Sequence, residues 1–599
     1  MQSRSHVLLQ GARIPRASLN ASVGCGCASY KLPRRCYATQ RPQRPAPKKI
    51  AVLGGGITGL TTAYYLSKSL PNATITIYEA SGRFGGWLQS KRVKVPDGGG
   101  FVTFEQGPRT LRKGLWGIFT LELLLELGLQ GDIRGATKDS VAAKNRYFYD
   151  QDHIVRLPSS IKDALFSGER VIYTAIREVL FEWCWKKPEF GHGDESITDF
   201  LARRGLKQTG DDLASAFLHG VYAGNIDELS AKSTPPFDRL SHLEHANGSI
   251  TNGLLAKQKD FVTVPTRLQK MSNHRLPLDI FSKNPNLLVW WVNTSVFALK
   301  DGLGSLANVL EKKLIQNRVG FIREGATKLE KSSDGITVHT QKKTSSILKT
   351  YDLVISALPA KTTGEIALAG LRSGTGSASL AKNRQAMKEA FNVPTVTVMV
   401  VNLFYKQPGL VPHQGFGYLI PKTVPGEQNP ERALGVIFDS DIIPGMDSAG
   451  GTKLTVMLGG HWWNGWPESS LPDEEEAVLA AKSLLARHLK IEAEPVLTNV
   501  ALQKDCIPQY NVGHQQKLYA AHEALKEVYE GRVRVVGNSY YGVGVHDCVV
   551  AARQMAENVM EEVAEGVLHS GRTGLEASAD EHLSGWTHYR VHPTVLKLM

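Results

Sequence analysis

Between Ile50 and Leu53 the chain runs apolar without interruption, the pattern of a strand covered on both faces. Leu60 to Leu70 has helical spacing, Pro71 and Asn72 break it, and Ala73 to Tyr78 alternates as a second strand ending at Glu79. Together they predict one β-α-β unit. Farther on, Leu115 to Leu129 predicts a helix, and Val393 to Tyr405, Gly417 to Ile420 and Lys453 to Leu458 alternate as strands of a separate sheet. Near the end, Arg532 to Val536 reads as a strand, Gly537 to Tyr541 as a turn and Val545 to Met560 as a helix opened by His546 and Asp547 as caps. Val171 to Lys187 (VIYTAIREVLFEWCWKK) mixes aromatic residues with flanking cations, which suits a membrane interface and a packed helix equally. His245 to Asn293 and the tail after Glu565 are polar and weakly patterned, so both are expected as surface insertions. No stretch reaches the roughly eighteen unbroken apolar residues a membrane-spanning helix needs.

At 599 residues, with 42% of them hydrophobic, the chain has material for two or three packed domains. Its net charge of +13 changes meaning once located. The first 49 residues hold ten Lys or Arg and no acid, and the rest holds 60 basic residues against 57 acidic ones. The body is therefore no nucleic-acid binder. Residues 1–45, rich in Arg, Ser and Ala, have the makeup of a mitochondrial presequence, with a cleavage point expected before Ala38 in Arg35-Cys36-Tyr37-Ala38. A basic arm for nucleic acid or lipid is the other reading of that composition. Of six cysteines, Cys25, Cys27 and Cys36 would leave with the presequence, and no His/Cys spacing suggests a metal site, so no metal is expected.

The β-α-β unit carries candidate chemistry. Gly54, Gly56 and Gly59 stand at G-x-G-x-x-G spacing between strand and helix. The first permits the tight turn, the second lets backbone approach a pyrophosphate, and the third lets the helix pack close. Amides of the helix start would then face phosphates. Glu79 ends the second strand, where a carboxylate accepts from ribose hydroxyls and repels a 2′-phosphate. Gly82-Arg83-Phe84-Gly85-Gly86-Trp87 follows at once and resembles the R-x-G-G extension of flavoproteins of the amine oxidase superfamily. That favours FAD over NAD.

Further strings resemble one family within that superfamily: Glu105-Gln106-Gly107-Pro108-Arg109, Gly220 to Gly224, Gln414 to Leu419, Val456 to Gly460, Ile507 to His514 and Gly537 to Arg553. From about residue 48 to 562 the chain is similar to the protoporphyrinogen oxidase family. The resemblance implies six-electron oxidation of protoporphyrinogen IX to protoporphyrin IX, the penultimate step of haem synthesis, with molecular oxygen reduced to hydrogen peroxide. It implies an α/β fold. A Rossmann-like FAD-binding domain would assemble from 48–109, 294–362 and 501–565. A helical membrane-binding insertion is expected at 110–260, a polar insertion at 261–293, a substrate-binding β domain at 363–500 and a tail at 566–599, after a presequence at 1–47. Implied partners are the mitochondrial inner membrane surface, met from the intermembrane side, a homodimer mate and ferrochelatase.

The matched positions imply site residues. Gly54, Gly55, Gly56, Ile57, Thr58, Gly59, Glu79, Ala80, Arg83, Gly86, Trp87, Gly107, Pro108, Arg109, Thr110, Thr327 and Asn538 would hold FAD. Val543, Gly544 and Val545 would present a helix start to the pyrimidine side of its ring, where the dipole favours negative charge. Tyr540 and Tyr541 stand there in place of a Cys or His, so FAD is expected to be non-covalent. Arg109 would clamp a propionate with its planar fork, Phe416 and Leu419 would sandwich a pyrrole ring, Met457 would add an apolar wall, and Gly220 would let backbone approach the macrocycle. No general acid or base is assigned. The competing readings are another amine oxidase or desaturase of the superfamily, and a non-enzymatic relative that binds prenylated proteins.

Overall fold

The computed structural model describes residues 46–185, 193–256, 261–265, 279–340, 348–371, 378–567, 571–576 and 586–590. The expected presequence with its cleavage point, Lys186 and Lys187 and most of the tail lie outside them. The predicted β-α-β unit forms: strand Lys49–Leu53, helix Ile57–Ser69 and strand Thr74–Tyr78. The helix starts before the expected Leu60 because Gly56 takes an extended N-cap conformation and turns the chain there. Both strands join a five-stranded parallel sheet in the order Gly320–Ile322, Thr74–Tyr78, Lys49–Leu53, Leu353–Ser356 and Val533–Val535. Ile50, Ala51, Val52 and Leu53 are wholly buried, as a doubly covered strand requires. The last long helix, Val545–Glu565, packs against Ile57–Ser69 through Val545, Val549, Met555 and Val559. Asp547 caps it by accepting from Gly544 N–H at 3.0 Å, whereas His546 reaches away to other elements.

The second large sheet has seven strands in the order Leu497–Pro508, Thr395–Tyr405, Thr452–Gly459, Ala433–Ile437, Gly417–Leu419, Tyr147–Asp150 and His153–Arg156. Helix Glu474–Leu489 covers one face with Ala477, Ala481, Leu484 and Leu485. The last two strands come from within 110–260, the segment expected as a helical insertion, and place that part of it in the second sheet. Tyr147 to Asp150, all buried, cannot stay in solvent and pairs with Gly417–Leu419 instead. A third sheet sets Thr294–Leu299 between Leu111–Arg112 and Ile133–Thr137.

The two weakly patterned segments also depart from expectation. Helix Pro285–Asn293 drives Trp291, 0% exposed, into the core beside Phe281 and Phe297, so this part of 261–293 is no surface insertion. Strand Phe261–Pro265 pairs antiparallel with Trp586–Arg590 of the tail. Before that, Thr573 O accepts from Val535 N–H at 2.8 Å and Leu575 is fully buried, which fastens the tail to the nucleotide-type sheet.

The region of the aromatic segment is helix Arg170–Phe181 followed by a tight turn, Glu182–Cys184. Only Val171 and Ile172 of the helix are buried, while Leu180 and Phe181 stand open to solvent. With them, Phe166 is 86% and Trp183 61% exposed, and Leu254 and Leu255 of helix Ile250–Leu255 are likewise open. Glu182 ties these elements together. Its carboxylate pairs with fully buried Arg204 and accepts from Ile250 N–H and Thr251 N–H, both at 3.0 Å. Burial alone would raise its pKa, but these donors and the Ser249 hydroxyl hold it at about 2.

Candidate active site

At the carboxyl end of Lys49–Leu53 the glycine turn is built for a close approach. Gly54 has φ +97° and donates to Tyr78 O at 2.8 Å, and a Cβ on Gly59 would sit 1.9 Å from Gly54 O. Gly56 caps helix Ile57–Ser69 without any side-chain bond, so the first-turn amides of Ile57, Thr58 and Gly59 carry no side-chain acceptor. That uncapped terminus beside a side-chain-free turn fits a dinucleotide pyrophosphate. Gly85 N–H donates to Gly55 O at 2.8 Å, which lays the second glycine turn, with Gly86, across the first. Arg83 donates to Gly86 O at 2.7 Å and so braces its own turn.

Glu79 is at the expected place, though partly engaged: it accepts from Gly55 N–H and Ser81 N–H, each at 2.7 Å. Ala80 lies exposed next to it, against Gly325. Thr327 follows at the start of strand Ala326–Ser332, exposed, its hydroxyl donating to His339 O at 3.3 Å. Gly107, Pro108 and Thr110 are half-buried around Arg109, with Gly107 set tightly against Trp87 O. Asn538 and Val543 border the start of Val545–Glu565. Tyr510 donates its hydroxyl hydrogen to Asn538 O, and Val543 packs with Tyr222 and Tyr510.

Of the expected substrate residues, Leu419 and Met457 lie on the second sheet, Phe416 just ahead of its strand Gly417–Leu419, and Gly220 in helix Ser215–Val221. Leu419 lies opposite Gly435, and Gly435 opposite Met457, so their side chains share one face. Gly435 between them lets the Leu419 side chain lie close over the strand, since a Cβ there would sit 3.0 Å from Leu419 Cδ2. A Cβ on Gly220 would come 2.8 Å from Leu419 Cδ2, so the two lie side by side. Phe416, Leu419 and Met457 are half-exposed although Val456, Leu458 and Tyr418 beside them are buried. Trp87, from the glycine-rich turn, packs on the same apolar cluster as Met457, with Val398, Val400 and Ala223. The dinucleotide turn and the apolar wall are therefore neighbours.

Arg109, the expected clamp, is partly engaged within the protein, while its Nη2 is buried with no hydrogen-bond partner. Its side chain is 7% exposed, and Nη1 donates to both Asp439 oxygens, at 3.0 and 3.3 Å. The Thr455 hydroxyl donates to the same carboxylate at 2.5 Å. A guanidinium buried this deeply needs a counter-ion, and Asp439 already supplies it. Nearby, burial lifts the Glu105 carboxyl to about 7, although Ser90, the Leu303 N–H and the cations Arg109 and Lys453 pull it down. Among the described residues Arg146 is found in no ion pair; it is half-buried, with its guanidinium 5.9 Å from the Phe416 ring centroid. Sequence reading passed over it. Its place one residue ahead of the buried run Tyr147-Phe148-Tyr149 was the available signal.

His219 and His461, also unforeseen, meet Nε2 to Nε2 at 2.8 Å behind Gly220. Burial pushes His219 down to about 4. Burial and the His219 charge push His461 to about 3, which keeps both imidazoles neutral. His219 Nδ1–H donates to Ile420 O at 2.6 Å, so its Nε2 must accept from His461. Among the described residues no cluster of three or more His, Cys, Asp or Glu is placed to hold a metal.

A glycine turn with an open helix start, abutting an apolar half-exposed wall, is the arrangement of a flavin oxidase. Residues 57–560 match the family described as flavin containing amine oxidoreductase. The chain belongs to that family. It is 33% identical to the protoporphyrinogen oxidase of Schizosaccharomyces pombe over 519 residues, covering 85% of this chain and 98% of that protein. It is 32% identical to the human protoporphyrinogen oxidase over 531 residues, with 86% and 98% covered. In fold it resembles cyclohexylamine oxidase from Brevibacterium oxydans (TM-score 0.56, 12% identity, 86% and 100% covered). The protein is an oxidoreductase that uses FAD.

Proposed function

We propose that this protein oxidises protoporphyrinogen IX to protoporphyrin IX with FAD held non-covalently. The observation that carries this reading is the half-exposed wall of Phe416, Leu419 and Met457 facing the side on which Trp87 adjoins the dinucleotide turn. A large, nearly apolar macrocycle suits such a wall better than a small amine does. The relatives named protoporphyrinogen oxidase add weight. Bound there, FAD would supply hydride acceptance from the macrocycle, with molecular oxygen as the terminal acceptor, reduced to hydrogen peroxide, and the macrocycle N–H protons released to water.

The chain's own residues bind and orient. Residues 54–59 and 85–86, Glu79, Ala80, Thr327 and Gly107 to Thr110 would hold the dinucleotide, with Asn538 and Val543 to Val545 beside its flavin end. Leu419 and Met457 would exclude water from one face of the macrocycle, and Gly220 adds no side chain beside Leu419. Arg146 takes over the role first given to Arg109 and fixes one substrate carboxylate beside Phe416. His219 and His546 are committed to Ile420 O and Arg112 O, and neither is assigned to proton transfer. Anaerobic addition of protoporphyrinogen IX to the yellow protein is expected to remove its colour, and admission of air to restore it as porphyrin fluorescence rises. A protein whose absorbance does not change would end this reading.

The same reading puts the helical part of 110–260 on the mitochondrial inner membrane, approached from the intermembrane side as a homodimer beside ferrochelatase. The acid-free basic arm and the open apolar side chains around Phe166, Leu180 and Trp183 support it. Among the described residues no helix is long and apolar enough to cross a membrane. The combined variant Phe166→Asp, Leu180→Asp and Trp183→Asp is expected to bind anionic liposomes at least about tenfold more weakly in co-sedimentation, with FAD content intact. Undiminished sedimentation would assign those side chains to another contact.

A further inference from the structure

We propose that Arg112 and Arg146 form a two-guanidinium clamp that reads both propionates of the substrate, Arg112 taking the second. The inference rests on the function proposed above, in which the substrate is a dicarboxylate. The two arginines come from separate elements. Arg112 ends the two-residue strand Leu111–Arg112, directly opposite Val296 on Thr294–Leu299. Opposed residues of an antiparallel pair project to the same face. Val296 belongs to the cluster against which Phe416 and Ile437 pack, and the Arg146 guanidinium lies over that same Phe416 ring. Two cations thus converge on one edge of the apolar wall.

The backbone of Arg112 is held firmly. His546, in the first turn of Val545–Glu565, donates Nε2–H to Arg112 O at 2.9 Å, and its Nδ1 then accepts from the Thr120 hydroxyl at 2.7 Å. This fixes Arg112 between the helix start that flanks the flavin and the ring that flanks the substrate. Lys113, the next residue, turns elsewhere, toward Val292 O.

Among the described residues neither Arg112 nor Arg146 is found in an ion pair, whereas Arg109, Arg203, Arg204 and Arg534 each hold a carboxylate. Although the Arg112 side chain reaches solvent, surrounding protein and the like charge of Arg146 both push its pKa down. Two adjacent unpaired guanidiniums repel, and a ligand with two carboxylates relieves both.

The test compares turnover of protoporphyrinogen IX with turnover of its dimethyl ester in detergent, for the flavin-loaded wild type, Arg112→Ala, Arg112→Lys, Arg146→Ala and the double alanine variant. The readout is the ratio of kcat/KM for the acid to kcat/KM for the ester. Each single alanine variant is expected to lower that ratio about tenfold, mainly through KM, and the double variant to lower it further, because each removes one charge-assisted pair. Arg112→Lys should recover part of the loss. A ratio unchanged by Arg112→Ala, whether both substrates slow equally or neither does, overturns the clamp, as does loss of bound FAD in that variant. A wild type that oxidises neither substrate refutes the proposed function itself, a separate result from failure of the clamp.

Discussion

Gly59→Ala is expected to yield a colourless protein. The added methyl would stand 1.9 Å from Gly54 O, an atom of the turn itself, so no side-chain rotation relieves the clash. Either the helix moves off the sheet or the turn opens, and both displace the amides of Ile57 and Thr58 proposed to meet the phosphates. Overpacking against backbone costs about 3 kcal/mol or more. Flavin content after purification, and again after incubation with excess FAD, is the measurement. A yellow Gly59→Ala protein of ordinary stability would show that the glycine turn does not form the cofactor site.

The other large effect is expected at Arg109, and it concerns stability before catalysis. Arg109→Ala leaves the Asp439 carboxylate in a site where its partner was 7% exposed, with only the Thr455 hydroxyl as donor. Removing one member of a buried pair costs about 3–5 kcal/mol because the remaining charge stays desolvated. Asp439→Asn combined with Arg109→Met removes both charges and is expected to recover much of that loss. Thermal unfolding of the three proteins decides it. If Arg109→Ala melts like wild type while only substrate KM rises, Arg109 is a clamp after all and Asp439 a spectator.

What the sequence revealed and what it hid divide along sequence distance. The glycine turn, its two strands and Glu79 were legible because every contact that defines them is local: Gly54 to Tyr78 O, Gly55 to Glu79, Gly59 to Gly54. The apolar wall was legible through family resemblance, because nothing in an alternating strand tells an open face from a packed one. The roles of Arg109 and Arg146 were not separable. Whether an arginine is free depends on who faces it, and the partner of Arg109 comes from Asp439, far along the chain. The polar stretch before Asn293 hid a core helix because its anchors, Phe281 and Trp291, are spaced among exposed residues, so no periodic stripe announced them. Tyr147 to Asp150 was missed as a strand because its partner, Gly417–Leu419, supplies the sheet edge it needs.

The parallel sheet takes its outer strand, Val533–Val535, from near the end of the chain, although its first strand is Lys49–Leu53. Helix Val545–Glu565, which packs on the helix of the glycine turn, comes later still, and Phe261–Pro265 waits for Trp586–Arg590. A nascent polypeptide on the ribosome therefore carries the glycine turn early but cannot complete its surroundings until helix Val545–Glu565 has been made. Stop codons ahead of that helix should act as null alleles rather than weakened ones.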